Sequence, residues 1–192
     1  MSLKGIKIGF AMTGSFCTFG KAFAAAEQLT KRGAVLTPVM SYNAACTDTR
    51  FGKAPDNLNR IEDICGRKAI LTLEDAEPIG PKGYFDLYII CPCTATTLGR
   101  LANAIYDDPV SLGAKSHLRG QKPVLLALST NDGLSMSARN IGALLGTKGF
   151  RFVPFGQDDA NKKPASLSAD FSLVADAAEA ALDGRQLQPV II

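Results

Sequence analysis

The stretch Asp86-Leu87-Tyr88-Ile89-Ile90-Cys91-Pro92-Cys93-Thr94-Ala95-Thr96-Thr97 decides how this chain is read. After Asp86 it runs to Cys91 with almost no polar atom and without the alternation of a half-exposed strand. It therefore predicts a strand covered on both faces, the kind found in parallel sheets flanked by helices. The hydroxyl-rich segment after it leads into a helix over about Thr97–Tyr106. Outward from this centre the same alternation recurs. Ile6–Met12 predicts a first strand and Thr13–Gly20 a loop. Lys21–Arg32 predicts a helix with Ala22, Phe23, Ala26 and Leu29 inward and Gly33 as its left-handed cap. Ala34–Met40 predicts a second strand, Ser41–Pro55 a polar connection, Leu58–Cys65 a short helix and Ala69–Leu73 a third strand. Further on, Pro123–Leu128 and Phe150–Pro154 read as strands, and Ser137–Leu145 and Leu173–Leu182 as helices. Gln157–Pro164 reads as an exposed polar loop. The expected fold is α/β: one domain over residues 1–192, with a three-layer, doubly wound parallel sheet of Rossmann-like or flavodoxin-like type.

Composition narrows the function classes. With 192 residues, 46% hydrophobic and 20% charged, the chain is neither disordered nor long enough for two full domains. No apolar run approaches the ~18 residues that span a bilayer, and the N-terminal apolar stretch carries a charge and reads as a strand, so a cytoplasmic protein without a membrane is expected. The net charge is only +3 and the basic residues are scattered; with no Trp as well, no nucleic-acid face is expected. The five cysteines, Cys17, Cys46, Cys65, Cys91 and Cys93, form no CxxC pair and read as reduced thiols; no metal site is expected.

Ligands of an open parallel sheet gather at the carboxyl ends of its strands. Four predicted strand ends carry small hydroxyl residues there: Thr13–Thr18, Ser41–Asn43, Cys93–Thr97 and Ser129–Asp132. Two of these lead into helix N-termini, where exposed N–H groups and the positive helix end suit a phosphate dianion. Ordinary helix capping explains any one such loop; four at one edge point to a phosphorylated ligand. The first loop is neither GxGxxG nor a Walker A motif, which favours a mononucleotide-sized ligand over a nucleoside triphosphate or a dinucleotide. Acid–base candidates are scarce. His117 is the only histidine and precedes a strand, at the sheet edge opposite the crevice. Asp107-Asp108-Pro109 reads as a solvated turn. Of Cys91 and Cys93, one thiol is expected inside and the other toward the crevice, with small packing residues as the simpler role.

Cys91–Asp108 resembles the Pro-Ala-Ser-Ala-Asn-Thr segment and the Leu-Ala-Asn-x-Ile-x-Asp-Asp tail of the flavoprotein family of homo-oligomeric flavin-containing cysteine decarboxylases. Gly14-Ser15 and Ser41 also fall where that family holds the flavin. The resemblance implies FMN bound by Gly14, Ser15, Phe16, Cys17, Ser41, Cys93, Thr94, Ala95, Thr96 and Thr97, in a homo-oligomer. Three segments, Gly9–Thr18, Thr47–Gly52 and Ala127–Leu134, resemble a branch that works with a separate A subunit. That likeness implies oxidation of a dihydrodipicolinate-type precursor to dipicolinate, the small pyridine dicarboxylate of spores, with NADP or NAD entering through the A subunit. Arg50 and Asn131 are the expected substrate-binding residues, Arg50 because a planar guanidinium pairs two-pronged with a carboxylate. Three features depart from the decarboxylases. The active-site His between the second and third strands is absent, the Pro-x-Met-Asn clamp becomes Leu128-Ser129-Thr130-Asn131, and the clamp cysteine is missing. Thr96 stands where the motif has Asn. A flavin-dependent decarboxylase or prenyltransferase, or a non-catalytic stabilising subunit, are the alternatives.

Overall fold

The computed structural model describes residues 3–192, and within them the chain alternates strands and helices as its patterning dictates. The elements are β1 (Lys7–Met12), α1 (Phe19–Lys31), β2 (Val35–Met40), α2 (Tyr42–Cys46), α3 (Ala54–Cys65), α4 (Leu73–Ala76) and β3 (Leu87–Cys93). They continue with α5 (Ala95–Ala102), α6 (Pro109–Leu118), β4 (Val124–Thr130), α7 (Ala138–Leu145), β5 (Phe150–Phe152), β6 (Phe155–Asp159), β7 (Lys163–Ala169) and α8 (Val174–Leu182). All of β3 is buried and β4 is buried up to its last residue, so these strands have helices on both faces. One helical layer contains α1 and α8, which pack on each other and on β3. The other is built on α6, which crosses β2, β3 and β4 with α4 and α5 beside it.

The seven strands run in the order β2-β1-β3-β4-β7-β6, with β5 also on β4. The first four and β5 are parallel. The chain leaves β1 toward β2 and returns to its other side as β3, so the loops after β1 and β3 separate and leave a crevice at their carboxyl ends. The free flank of β4 is divided. Its amino half pairs with β5, and its last residues, Ser129 and Thr130, pair antiparallel with Ser168 and Leu167 of β7.

Four expectations fail here, each for a local physical reason. Gln157–Pro164 is not a free loop but the tip of the β6–β7 hairpin, turned by Asp159 Oδ1, which accepts from Asn161 N and Lys162 N. Its polar residues suit a strand pair with one wet face. Ala69–Leu73 makes only one isolated bridge, Ile70 to Val39, because Thr72 already caps α4. Asp107-Asp108-Pro109 is the start of the unforeseen α6: Asp108 is its N-cap and Pro109 fits the first helical turn, where no N–H is needed. The polar stretch Ser41–Pro55 contains the five-residue α2. Among the described residues no helix is long and apolar enough to cross a membrane.

Candidate functional site

The carboxyl ends of β1, β3 and β4, together with the β6–β7 hairpin, enclose a crevice of about 540 Å3. A smaller arm of about 160 Å3 shares Gly14, Thr94 and Thr96 with it and reaches Ser41, Asn43, Thr97, Arg100 and Asp108. Hydroxyls tie the walls together. Thr13 Oγ1 donates to Pro92 O at 2.7 Å and accepts from Thr94 N at 3.0 Å, locking the β1 loop to the β3 loop. Ser15 and Ser129 join the β1 and β4 loops through a 2.9 Å hydrogen bond between their hydroxyls. Thr94 caps α5, its Oγ1 accepting from Thr97 N at 3.4 Å. The first-turn N–H groups of Ala95 and Thr96 have no intrahelical acceptor, so the positive end of α5 opens on the crevice.

Most of the sequence-predicted residues converge. Gly14, Ser15, Phe16, Cys17, Thr94, Ala95, Thr96 and Asn131 line the crevice, and Ser41 and Thr97 line the smaller arm. Ser41 also caps α2, accepting from Ala44 N at 3.2 Å. Two residues are placed elsewhere. Cys93 is fully buried beside the equally buried Cys91, so neither thiol faces the crevice, and burial pushes both thiols well above the ordinary cysteine range. Arg50 is exposed and stacks on Phe51, its guanidinium carbon 4.9 Å from the ring centroid; only the Phe51 ring borders the crevice.

Asp108 is no solvated turn residue. It is 4% exposed, with Oδ1 accepting from Val110 N at 3.0 Å and Oδ2 from Tyr42 N at 3.2 Å, so one carboxylate clamps the starts of α6 and α2. Among the described residues no group of three His, Cys, Asp or Glu side chains is placed to hold a metal ion. His117 lies at the opposite sheet edge, bonded to Pro123 O just before β4. Lys21, Asp158, Lys163 and Ser166 also line the crevice and were missed from sequence. The run of opposite charges at residues 158–163 suits a hairpin tip, but nothing local in it says which strand ends the hairpin folds over.

The donors present fit the phosphate of FMN. Hydroxyls of Ser15, Thr94, Thr96 and Ser129 and the α5 N-terminus surround one space. Gly14 adds a steric observation. A Cβ there would sit 3.5 Å from the Phe16 ring and 3.7 Å from Asn43 Cβ, ordinary contacts, so the protein accepts a side chain that would nevertheless fill crevice volume.

A family profile described as Flavoprotein matches residues 1–154. The B subunit of dipicolinate synthase from Bacillus subtilis (strain 168) is 44% identical over 191 residues, spanning 100% of this chain and 96% of that protein. The crystal structure of the dipicolinate synthase B subunit from Bacillus halodurans C aligns with a TM-score of 0.92 at 41% identity, over 100% of this chain and 98% of that one. A dodecameric FMN-dependent UbiX-like decarboxylase from Escherichia coli O157:H7 aligns with a TM-score of 0.63 at 22% identity, over 78% and 80% of the two chains, a likeness of fold alone. Matched by the profile over its first 154 residues, and to a relative along its whole length, the chain belongs to the flavoprotein family.

Proposed function

We propose that this chain is the flavin-site subunit of a two-component dipicolinate synthase, binding FMN in the crevice and acting with an A subunit in the cytoplasm of a sporulating cell. The observation that carries the reading is 44% identity, end to end, to a dipicolinate synthase B subunit. The phosphate of FMN would be held by Gly14, Ser15 and Cys17 with the α5 N-terminus, and its ring would lie toward Ser41 and Thr94–Thr97. FMN supplies two-electron redox chemistry at this edge. The chain's own residues bind, orient and exclude water. Aromatising a dihydropyridine removes a hydride equivalent and a proton, and proton transfer needs a positioned group that titrates near the working pH. The crevice lining contains no histidine, and the Asp108 carboxylate is occupied by two N–H donors. The A subunit is therefore assigned the missing acid–base group, with NADP or NAD as the final hydride acceptor. Tyr42 and Phe51, 44% and 50% exposed beside the two arms, are the surface expected to be covered in a closed homo-oligomer. The small dicarboxylate substrate needs neither nucleic acid nor membrane.

The test is to assay this chain alone, the A subunit alone and the mixture for dipicolinate by ultraviolet absorbance. The reading requires dipicolinate from the mixture and none from this chain alone. Turnover by the A subunit that is unchanged without this chain would overturn it. Titration of the chain with FMN showing no binding at millimolar ligand would remove the flavin, and a 20.3 kDa monomer in sedimentation equilibrium would remove the oligomer.

A further inference from the structure

The β6–β7 hairpin brings charge to a crevice that is otherwise built from hydroxyls. Lys163 Nζ lies 2.7 Å from Asp158 Oδ2, and these two side chains remain 59% and 38% exposed. Lys21, in the first turns of α1, lines the same crevice and is close enough to Asp158 to stabilise its charge. Lys21 forms no ion pair among the described residues. Two cations from different elements thus lie by one carboxylate, Lys163 paired with it and Lys21 within electrostatic reach, beside Asn131, Ser166 and Ser168. The arrangement is persistent because Ser168 and Leu167 pair with the end of β4. It also depends on Gly133, where a Cβ would come within 2.7 Å of the Leu167 side chain.

A carboxylate paired with one exposed lysine and near a second, at the mouth of a ligand crevice, sits where an incoming carboxylate would sit. We propose that Lys21 and Lys163 form the carboxylate-binding arm of this crevice, taking one carboxylate of a small planar dicarboxylate, and that Asp158 occupies that arm until the ligand displaces it. This deepens the proposed function and rests on it for the identity of the substrate. It moves substrate recognition from Arg50, which stacks outside the crevice, to the hairpin. No bond is made or broken in the exchange. Lys163 leaves Asp158 for the ligand carboxylate, and Asp158 turns to solvent. A charge-assisted contact is thereby replaced by one of the same kind, so the exchange costs little.

The mechanism gives opposite signs for two substitutions in one ion pair. In calorimetric titration of the full-length, FMN-saturated chain with dipicolinate, Lys163→Gln and Lys21→Gln are each expected to weaken binding about fivefold to tenfold. Asp158→Asn is expected to tighten it about threefold, because the lysines lose their competitor. If the pair only stiffened the hairpin, Asp158→Asn and Lys163→Gln would act in the same direction, and that result overturns the proposal. So does an unchanged dipicolinate affinity in both lysine variants, or no dipicolinate binding by the wild type. Riboflavin and FMN titrations form the second arm. If the lysine variants lose FMN but not riboflavin affinity while dipicolinate binding is unmoved, the cations serve the flavin phosphate and the proposal fails. The two-subunit assay separates this from the reading above. Dipicolinate formed by the wild-type mixture, with no rise in KM for the lysine variants, sinks the arm and leaves the reading standing.

Discussion

At the amino edge of the sheet, His117 and Ser116 bond only to backbone atoms; at the carboxyl edge, hydroxyls of different loops bond to one another as well as to the backbone, beside an open crevice. His117 represents the first edge. It is 3% exposed, its ring 5.9 Å from that of Tyr88, with Nε2–H of the neutral ring donating to Pro123 O at 3.1 Å. Nearby, Ser116 Oγ donates to Glu77 O and accepts from Gly80 N, a position where a Cβ would collide with Ser116 O. Ser15 represents the second edge, its hydroxyl meeting another hydroxyl on a different loop across an open space of about 540 Å3. The same residue types close the packed fold at one edge and border an open crevice at the other. What separates them is that the carboxyl-edge hydroxyls add bonds to one another, across an open crevice, to those they make with the backbone.

The largest expected effect that could break this contrast is at the amino edge. Burial is the main cause that lowers the His117 pKa to about 4 from its ordinary 6.5, against a weaker opposing effect of its bond to Pro123. The unfolded chain therefore binds the proton more readily than the folded one. The stability this provides is complete above pH 6.5 and is lost as pH falls toward 4. The loss amounts to about 3 kcal/mol. Urea unfolding of wild type and His117→Phe across that range should show the difference between them shrinking with acidification. A pH-independent difference would mean that the ring is not buried as a neutral base.

Asp108 sharpens the contrast from the other side, because it is a carboxyl-edge residue used as the amino edge uses its own. Asp108→Ala strands Val110 N and Tyr42 N without their acceptor and should cost about 2 kcal/mol of stability, measured by denaturant unfolding. Gly14→Val should do the reverse. It should leave the melting temperature unmoved and weaken FMN binding at least tenfold, about 1.4 kcal/mol, measured by calorimetry. Equal losses of stability in the two variants would erase the distinction between capping and ligand-holding residues at this edge. The smallest effect is expected for Ser15→Ala, which removes one hydroxyl from a pair that water can replace; FMN affinity should fall by about 0.5–1 kcal/mol with stability unchanged.

The β1 and β3 loops were legible because each obeys a local rule. A buried strand runs into hydroxyl residues and then a helix, and Thr94 caps α5 as its type demands. His117 was placed correctly for a related reason: it precedes a strand in sequence, and sheet polarity then fixes its edge. Cys93 and Arg50 fall outside the crevice lining, which periodicity does not foretell because it does not report which way a side chain at a strand end or in a long connection turns. The start of α6 was hidden by its charge: two adjacent aspartates read as solvent-facing, and only Asp107 is, while Asp108 is buried as the cap of the helix.

The amino-acid sequence by itself determined the alternation of covered strands and helices, the carboxyl edge as the place of the crevice, and the hydroxyl loops that line it. Each follows from interactions spanning a few residues. Only the tertiary structure decided that Lys21 and Lys163, 142 positions apart, line the same crevice beside Asp158. That outcome depends on β7 pairing with the last two residues of β4, on β5 leaving that part of the flank free, and on Gly133 admitting Leu167. Such long-range pairing is selected by the packing of the whole sheet, and no local pattern of charge or hydropathy encodes it.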